Sequence, residues 1–329
     1  MSAILVLGSN SFSGASFIGF LLKQGVEVIG ASRSIQKPRE FLPYMWTTDL
    51  DKFRFAQVDV NHNLEELEKL IRQERISIIV NFAAQSMVGQ SWDHPEDWMM
   101  TNVVSASKLA ERLRGVDWLE RYVHVTTPEV YGSTDGWITE NTPYNPSTPY
   151  AVSRAAGDMI FKIYRESFGL PVVTTRAANV YGPGQQLYRI IPRTILFLLT
   201  GRKLQLHGGG VSTRSFIHMD DVSNATWLIT NKAPVGETYH ISTDHIVSIR
   251  ELVELICRML NTAFEDHVEV AEERRGKDDA YWLNSEKVRS ALSWSDNISL
   301  ETGLEGCISW VKDNLEVLSH SHLEYIHRP

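Results

Sequence analysis

The first residues that could do chemistry form a glycine-containing segment near the start of the sequence. Residues 8–14 read Gly-Ser-Asn-Ser-Phe-Ser-Gly, between an apolar run that predicts a strand and a pattern that predicts a helix. Glycines at both ends let the backbone turn sharply and approach a pyrophosphate at the helix N-terminus. Ser11 replaces the middle glycine of the usual G-x-x-G-x-x-G pattern. The context still predicts a dinucleotide site, and its predicted contact residues are Gly8, Asn10, Ser11, Phe12, Ser13 and Gly14.

The end of the second predicted strand, Val26–Ala31, bears on which dinucleotide is bound. NAD-preferring sites usually carry an acid there for the ribose 2′-hydroxyl, whereas this sequence continues Ser32-Arg33-Ser34. An arginine flanked by two hydroxyl groups suits a 2′-phosphate, so we predict NADP, with NAD as the alternative. Asp59, after the third strand, is either an acceptor for the adenine amino group or a cap of the following helix.

Tyr150 and Arg154 form a candidate catalytic pair, in a helix predicted to begin near Thr148. The two residues are one helical turn apart and therefore lie on the same face. A tyrosine hydroxyl with a pKa of about 10 is a poor base at neutral pH and needs a nearby cation to become an effective one. The pair is therefore a candidate for acid–base chemistry.

Elements that position these residues follow an alternating pattern in the first half of the sequence. Short apolar runs alternate with helix-length amphipathic runs, which predicts right-handed βαβ units and a doubly wound parallel Rossmann sheet. The predicted helices are Gly14–Gln24, Leu64–Glu74, one after Pro95 and one near Thr148. The predicted strands are Ala3–Leu7, Val26–Ala31, Phe53–Asp59, Ile76–Asn81, Arg121–Thr126 and Pro171–Arg176.

The pattern changes after about Asn179, where glycine and proline are more frequent and the units are shorter. Ser248 and Glu251 form a capping-box pattern that predicts the start of a helix. We predict a smaller, mixed α/β substrate domain over the carboxyl edge of the sheet. The predicted cofactor domain comprises residues 1–178 and about 219–243, and the predicted substrate domain comprises residues 179–218 and 244–329.

Six segments resemble, in order, the motifs of the extended short-chain dehydrogenases/reductases. Tyr150–Arg154 resembles their Y-x-x-x-K element, and Asn81–Ser86 resembles the H-x-A-A-x-S segment after the fourth strand. Thr126–Gly132 resembles the S-T-D-E-V-Y-G segment of nucleotide-diphosphate-sugar 4,6-dehydratases. The resemblance covers nearly the whole chain and extends to dehydratases of both GDP-mannose and dTDP-glucose. The other similar segments are Asn179–Gly184 (N-x-Y-G-P), Arg214–His218 (R-D-F/W-x-x-V-x-D) and Arg274–Asp278 (R-P-G-H-D).

The resemblance implies a role for each catalytic candidate. Tyr150 would take the proton of the sugar C4-hydroxyl while a hydride passes to the nicotinamide, and Thr127 would hydrogen-bond the C4 oxygen. Arg154 would lower the pKa of Tyr150 and hold the nicotinamide ribose. Glu129 would remove the C5 proton, which the C4 ketone makes acidic. Return of the hydride to C6 makes the cycle redox-neutral and yields a 4-keto-6-deoxy sugar on its nucleotide.

The resemblance also implies the binding contacts and the oligomeric state. The substrate would be a nucleotide-diphosphate hexose. A homodimer would form through the helix after Pro95 and the helix that carries Tyr150. Further cofactor contacts would come from Val60, Phe82, Ala83, Ala84 and Thr101. Substrate contacts would come from Ser86, Asn179, Arg189, Arg214 and Arg274.

Three departures from the family pattern, at Ser11, Pro128 and Arg154, keep other functions open. Arg154 replaces a lysine, and Pro128 replaces the aspartic acid that protonates the departing C6-hydroxyl. Water, Thr127, Tyr131 or another acid would have to serve instead. An epimerase or decarboxylase of the same superfamily, which expels no water, is the alternative function. A non-catalytic cofactor-binding protein is a third interpretation.

The composition argues against several other classes of protein. A net charge of −8, from 40 acidic and 32 basic residues, argues against broad nucleic-acid binding. The two cysteines lie in apolar helix patterns, which predicts buried free thiols. No run approaches the roughly 18 apolar residues of a membrane span, and the short N-terminal apolar run lacks the basic residues of a signal peptide. We therefore expect a cytoplasmic protein without membrane or metal partners.

Overall fold

Seven parallel strands form the main sheet of the computed structural model, which describes residues 3–272 and 281–328. Smaller sheets of three, two and two strands lie in the rest of the described chain. The strands are β1 (Ile4–Leu7), β2 (Val28–Ser32), β3 (Phe53–Gln57), β4 (Ile78–Asn81), β5 (Arg121–Thr126), β6 (Trp137–Ile138), β7 (Val172–Ala177), β8 (Asn179–Tyr181), β9 (Leu204–His207), β10 (Thr213–His218), β11 (Thr238–Ile241), β12 (Ile246–Ser248), β13 (Val268–Ala271) and β14 (Trp282–Leu283).

Helices connect most of these strands. Helix α3 continues through a π-helical turn, Met100–Ser105, into α4, and a short 3-10 helix, Pro128–Tyr131, follows β5. The α-helices are α1 (Phe12–Lys23), α2 (Leu64–Gln73), α3 (Pro95–Met99), α4 (Ala106–Leu113), α5 (Pro149–Phe168), α6 (Ile190–Leu199), α7 (Met219–Lys232), α8 (Ile249–Met259), α9 (Phe264–His267), α10 (Glu286–Leu292), α11 (Leu300–Asp313) and α12 (Leu315–Ser319).

The strand order of the main sheet, β11-β7-β5-β4-β1-β2-β3, identifies where a ligand should bind. The chain runs outward from β1 through β2 to β3 and then returns to the other side of β1 as β4. Leu7 at the end of β1 pairs with Asn81 at the end of β4. A crevice opens at such a reversal, outside the carboxyl ends of the strands, and it is the usual ligand site of this fold. The predicted parallel Rossmann sheet is therefore confirmed.

Burial on both faces explains the uninterrupted apolar run in β1. Ile4 and Val6 pack with α1 on one face, whereas Leu5 and Leu7 pack with α2, α4 and α5 on the other. Strands buried on both sides do not alternate between apolar and polar residues. A second core joins α6, α8 and α11. Both free cysteines, Cys257 and Cys307, are buried in it, as predicted.

The six predicted strands all form, with ends that differ by at most two residues from the prediction. The seventh strand, β11, was not predicted, because its four residues Thr-Tyr-His-Ile carry little apolar signal. The capping box at Ser248 is present, and Glu251 returns a hydrogen bond to the Ser248 amide. Within the described ranges, no helix is long and apolar enough to cross a bilayer.

Candidate active site

The turn after β5 carries two of the predicted catalytic residues. Thr127 caps the short 3-10 helix, and its hydroxyl accepts a hydrogen bond from the Glu129 amide at 3.3 Å. Pro128 occupies the first helical position, where its fixed φ suits the turn and its missing N–H costs nothing. The proline therefore shapes the turn that presents Glu129. Thr127 is buried, and Glu129 is half-buried.

Tyr150 lies against this turn at the start of α5. Thr148 caps the helix by accepting a hydrogen bond from the Ala151 amide at 3.1 Å. The Tyr150 phenol is buried and hydrogen-bonds to the side chain of Thr127. Burial and then the charge of Glu129 raise the pKa of Tyr150, while Arg154 and the hydrogen bond from Thr127 lower it. The structure therefore brings Thr127, Glu129 and Tyr150 together. Among the influences of the protein's own groups, those that raise the pKa of Tyr150 prevail.

Arg154 occupies the place of the family's lysine. Its side chain is buried, and its guanidinium donates a hydrogen bond to the backbone carbonyl of Val125 on β5. Its Nε atom is buried and has no hydrogen-bond partner. A buried donor without a partner is costly, and such groups usually mark a ligand or water that completes the bond.

Behind the active site, a buried polar network surrounds Asp158, one turn beyond Arg154 on α5. The Asp158 carboxylate accepts hydrogen bonds from His124 Nε2 at 3.1 Å, from Arg176 at 2.8 Å and from the Tyr144 hydroxyl at 3.2 Å. Burial raises the pKa of Asp158, but the hydrogen bond from His124 and the charge of Arg176 together lower it by more than burial raises it. The net pKa is therefore well below the usual range. The carboxylate is therefore ionised at neutral pH inside the protein.

The same network excludes Tyr131 as the acid that replaces Pro128. The Tyr131 hydroxyl accepts a hydrogen bond from Arg176 and lies 2.8 Å from His240 Nε2. The residue is buried, and burial raises its pKa to about 12. Its hydroxyl therefore faces the interior and not the crevice that holds Glu129.

The glycine-containing turn fits a dinucleotide at the N-terminus of α1. Gly8 has a φ of 80°, and a Cβ there would lie 2.7 Å from the amide nitrogen of Ala83. A Cβ on Gly14 would lie 2.3 Å from the Gly8 carbonyl oxygen. Buried Ser9 Oγ and Asn10 Oδ1 have no hydrogen-bond partner, so they are available to a bound ligand. The residues at this turn therefore fit the cofactor that the sequence predicts.

Ser11 explains why the turn tolerates a residue other than glycine at its middle position. Its φ of −76° is ordinary for an L-residue, and its hydroxyl caps α1 by accepting from the Gly14 amide at 3.0 Å. The same hydroxyl donates to the Gly8 carbonyl at 2.7 Å. Phe12 is buried in a core with α7, while Ser13 is half-buried. The Ser11 side chain thus stabilises the turn that glycine usually forms.

The loop after β2 is tied to this turn through Asn10. The Asn10 amide donates to Ser32 Oγ at 3.0 Å, and its side chain donates to the carbonyl and hydroxyl of Ser34. The Arg33 guanidinium donates to the carbonyl of Arg328 at 2.9 Å. Asp59 accepts from the Asn61 amide at 2.8 Å. Asp59 therefore closes a local turn and does not cap the following helix, whose N-cap residue is Asn63.

The other predicted cofactor residues lie at the same carboxyl edge of the sheet. Val60 follows β3, and Phe82 to Ala84 follow β4, next to β1. Thr101 lies in the π-helical turn and accepts a hydrogen bond from Asn61 at 3.0 Å. All five side chains are half-buried. Their position at this edge of the sheet is the one that the predicted cofactor role requires.

The structure brings two of the further predicted substrate residues together and leaves two others apart from them. Asn179 on β8 accepts a hydrogen bond from the Tyr281 hydroxyl at 3.3 Å, and Arg214 on β10 stacks 5.0 Å above the Tyr281 ring. Arg189 is the N-cap residue of α6. It lies close enough to Tyr150 for its charge to lower the Tyr150 pKa. Ser86 is exposed. Arg274 lies outside the described residues.

Sequence reasoning missed two contributors to this region. Tyr281 joins Asn179 to Arg214, and only its place shortly after the R-P-G-H-D-like segment hinted at a role. Gln85 lies in a predicted motif but was not selected, and its side-chain nitrogen donates to the Arg328 carbonyl at 2.6 Å. Its partner Arg328 lies in a segment, Leu-Glu-Tyr-Ile-His-Arg at residues 323–328, whose sequence carries no alternation of apolar and polar residues that could have indicated its packing.

Comparisons with known proteins agree with this arrangement. The family model for GDP-mannose 4,6 dehydratase matches residues 5–307. A dTDP-glucose 4,6-dehydratase of Mycobacterium tuberculosis is 32% identical over 326 residues, which are 94% of this chain and 93% of that protein. The crystal structure of the Streptomyces venezuelae dTDP-glucose 4,6-dehydratase DesIV, with NAD and TYD bound, has a TM-score of 0.89 at 30% identity and covers 96% of this chain and 98% of that chain.

A plant relative is longer than this chain. The trifunctional UDP-glucose 4,6-dehydratase, 3,5-epimerase and reductase of Arabidopsis thaliana is 32% identical over 268 residues, which are 80% of this chain. The matched part is 40% of the plant enzyme's length. From the family model, the relatives and the shared fold together, we conclude that the chain belongs to the GDP-mannose 4,6-dehydratase family, the nucleotide-diphosphate-sugar 4,6-dehydratases of the extended short-chain dehydrogenase/reductase superfamily.

Proposed function

We propose that this chain removes water from a nucleotide-diphosphate hexose and releases a 4-keto-6-deoxy sugar on the same nucleotide. The observation that carries the proposal is the convergence of three groups at one crevice. The side chain of Thr127 hydrogen-bonds to the Tyr150 phenol, and the charge of Glu129 acts on that same phenol. A base for the C4-hydroxyl and a base for the C5 proton therefore lie side by side.

Tyr150 and Thr127 serve the first chemical event at C4. The phenolate takes the C4-hydroxyl proton, and the Thr127 hydroxyl stabilises the oxygen as its charge develops. Arg154 lowers the pKa of Tyr150 and opposes the effects of burial and Glu129. A bound nicotinamide would supply the hydride chemistry, taking a hydride from C4 and returning one at C6. Arg154 Nε is the buried donor on this helix that remains for a cofactor hydroxyl.

Glu129 serves the elimination that follows. The C4 ketone acidifies the C5–H bond, and the Glu129 carboxylate takes that proton. Pro128 has no proton to give, and the Tyr131 hydroxyl is held in the interior by Arg176 and His240. We therefore assign the next proton transfer to Glu129 itself, which is protonated by the first transfer and returns its proton to the departing C6-hydroxyl. A solvent proton then reaches C5 through the same carboxylate.

Three cationic or polar side chains are placed to hold the diphosphate. Arg214 stacks on the Tyr281 ring, Asn179 accepts a hydrogen bond from the Tyr281 hydroxyl, and the charge of Arg189 at the start of α6 lowers the pKa of Tyr150. Charge-assisted hydrogen bonds from arginine are strong and match the geometry of phosphate oxygens. Between them, these residues would fix the nucleotide so that the hexose lies over Thr127, Glu129 and Tyr150.

NADP is the cofactor that we propose for this chain. No carboxylate follows β2, and Arg33 stands where an acid would bind the ribose 2′-hydroxyl. Lys37 is half-buried, and burial followed by the charges of Arg328 and Arg33 lowers its pKa. Three cations therefore gather at the adenosine end of the crevice, where a 2′-phosphate would neutralise them. The DesIV structure, in contrast, contains NAD.

We also propose a homodimer, because an apolar stripe is exposed on neighbouring helices. Val152, Met159 and Ile163 on α5 are 42%, 53% and 54% exposed, and Met100 and Val104 add to the same side of the α3–α4 helix pair. A second copy of this face would cover it and form a four-helix interface. Light scattering should give twice the mass of the chain, and a Met159→Lys variant should shift the protein toward the monomer.

Proton NMR of the purified protein with GDP-, dTDP-, UDP- and CDP-hexoses, without added reductant, tests the activity. A new C6 methyl doublet and a hydrated C4 ketone are expected with one member of the panel, and that member identifies the nucleotide. A sugar inverted at C4 without a methyl signal would replace the proposal with an epimerase. In D2O, deuterium is expected at C5 of the product, because the proton returned there comes from solvent.

A further inference from the structure

The last described residues of the chain form an extended segment that packs with one face on the protein. Along residues 323–328, Leu323, Tyr325 and His327 are half-buried, while Glu324, Ile326 and Arg328 are exposed. Side chains of an extended chain point alternately to opposite sides. The alternation therefore shows that the segment lies on a surface to which one row of side chains is fitted.

The segment begins on the substrate side of the crevice. Arg193 on α6 donates to the Leu323 carbonyl and forms an ion pair with Glu324 at 2.7 Å. The Tyr325 ring meets Tyr188 edge to face, with 5.6 Å between the ring centres. Tyr188 directly precedes Arg189, which we assign to the substrate diphosphate. One end of the segment is thus anchored beside the proposed sugar-nucleotide site.

From there the segment crosses to the cofactor side. The Tyr325 hydroxyl donates to Gln85 Oε1 at 3.4 Å, and the Arg328 carbonyl accepts from Gln85 at 2.6 Å and from Arg33 at 2.9 Å. Gln85 follows β4 and Arg33 follows β2, so the two residues flank the end of β1. A single carbonyl group therefore joins the two walls of the crevice in which the dinucleotide is proposed to lie.

His327 holds the segment in this position. Its ring stacks nearly parallel to His94 and to Trp98, with ring centres 4.9 and 5.0 Å apart and interplanar angles of 5° and 12°. Its Nε2 lies 2.7 Å from the Asp97 carboxylate. Trp98 is fully buried, so the stack continues into the core of the protein. Two stacking contacts and one polar contact at Nε2 therefore fix the His327 ring, and with it the segment, on the protein surface.

The contacts of the segment do not reach the phosphate-binding turn. Within the described residues, no hydrogen bond or ring contact joins residues 323–328 to the turn at residues 8–14, and Ser9 Oγ and Asn10 Oδ1 keep no partner. The segment therefore contacts the walls of the crevice and not its phosphate-binding floor. A chain that filled the floor would compete with a dinucleotide, whereas the contacts of this segment are with the walls.

We infer that residues 323–328 form the outer wall of the cofactor site and slow the release of the bound dinucleotide. The inference rests on the proposed function, because a redox-neutral cycle returns the hydride to the same sugar and has no need to exchange its cofactor. Tyr325, His327 and the Arg328 carbonyl are the positioning groups. The wall also joins the substrate helix α6 to Arg33, so it spans both binding sites.

The rate at which the protein releases NADPH or NADH tests this inference without any sugar. It is measured by stopped-flow fluorescence after an excess of the oxidised cofactor is added. His327→Ala should release the dinucleotide about tenfold faster, since the loss of a stacked, hydrogen-bonded ring is worth about 1.4 kcal/mol. Deletion of residues 321–329 should release it faster still. Ile326→Ala, on the exposed face of the same segment, is the matched control and should change release less than twofold.

Each other outcome overturns the inference. Unchanged release from both the deletion and His327→Ala would mean that the segment is no part of the cofactor site. Slower release or tighter binding would mean that it competes with the cofactor. A wild-type protein that binds neither NADPH nor NADH would remove its basis. Thermal unfolding of each variant shows whether the fold is kept, and Tyr325→Phe, which loses only one hydroxyl, gives a mild variant that should fold and release slightly faster.

The release measurement is separate from the test of the proposed function. If the sugar panel stays unchanged while His327→Ala releases cofactor faster, the retaining wall stands and the dehydratase proposal fails. If water elimination occurs while release is indifferent to the segment, the dehydratase proposal stands and the wall fails.

Discussion

Helix α5 carries two polar regions that differ in how their charged groups are paired. Toward the interior, the Asp158 carboxylate has three hydrogen-bond donors, and the hydroxyls of Tyr131 and Tyr144 are bonded to Arg176. Toward the crevice, Arg154 Nε lacks a partner, as do Ser9 Oγ and Asn10 Oδ1 on the facing turn. Buried polar groups cost free energy unless they are bonded.

Unpartnered buried atoms also occur in the interior, at His124 Nδ1, Arg176 Nε and His240 Nδ1, so the distinguishing feature of the interior region is the Asp158–Arg176 ion pair at 2.8 Å. In the interior, three separate segments contribute His124, Asp158 and Arg176, which hold β5, α5 and β7 together. At the crevice, the unsatisfied atoms belong to the elements that the sequence predicts to hold a dinucleotide. Substitutions on one side should therefore change stability, and substitutions on the other should change chemistry or cofactor binding.

The largest effect is expected at Glu129, the proposed base for the C5 proton. Glu129→Gln keeps the shape but removes the base for the C5 proton, so kcat should fall by up to about 10⁴-fold. Formation of the methyl signal by NMR measures the loss, while the melting temperature should not change. Glu120→Gln, an exposed change just before β5, is the control. A Glu129→Gln enzyme with normal kcat would remove Glu129 from the mechanism.

Asp158→Asn should act on the opposite side of the comparison. It leaves the buried Arg176 without its counter-ion, and breaking a buried pair costs about 3–5 kcal/mol of unfolding free energy. The pKa of Asp158 is lowered in the folded state, so its stabilisation is present above its unfolded pKa, which is near 3.8, and is lost only as the pH falls toward the folded value. Urea denaturation at pH 7 and in the acid range measures both statements.

Asp117→Asn, an exposed change in the loop before β5, is the control for Asp158 and should alter the unfolding free energy little. A variant of Asp158 that unfolds at the same urea concentration as the wild type would show that the network does not stabilise the fold.

These two regions also differ in how far the sequence predicts them. Gly8, Gly14, Thr127, Glu129 and Tyr150 lie in local patterns, and local patterns determine the turns and helix starts that present them. The Asp158 network was not predicted, because its partners come from β5, α5 and β7 and no spacing along the chain relates them. The contact of Arg328 with Arg33 joins residues 295 positions apart. Such contacts arise from packing, which a single sequence does not display.

Arg154 stands between the two regions and should have an intermediate effect. Burial and Glu129 raise the pKa of Tyr150, and the Arg154 charge lowers it. Arg154→Met removes that charge, so the Tyr150 pKa rises and the acid limb of the kcat/KM profile should move to higher pH, with about a 10- to 100-fold loss at neutral pH. Arg154→Lys keeps the charge and should restore most of the rate. An unmoved acid limb in Arg154→Met would contradict this role for the cation.

The smallest effect is expected at Arg33, because it concerns one contact at the far end of the cofactor. Arg33→Asp replaces the proposed partner of a 2′-phosphate with an acceptor for a 2′-hydroxyl, so preference should change from NADPH to NADH. One charge-assisted contact is worth about 1.5–3 kcal/mol, or roughly 10- to 100-fold in the ratio of dissociation constants. Fluorescence titration with each reduced cofactor measures the ratio.

Arg39→Asp, an exposed change in the same loop, controls for the general effect of charge on cofactor binding. Arg33 also donates to the Arg328 carbonyl, so its loss should speed the release of both cofactors alike, whereas the change of preference should affect only their ratio. A wild-type protein that already prefers NADH, with an unchanged ratio in Arg33→Asp, would assign NAD to this chain and leave the Arg33 guanidinium a role in holding residues 323–328.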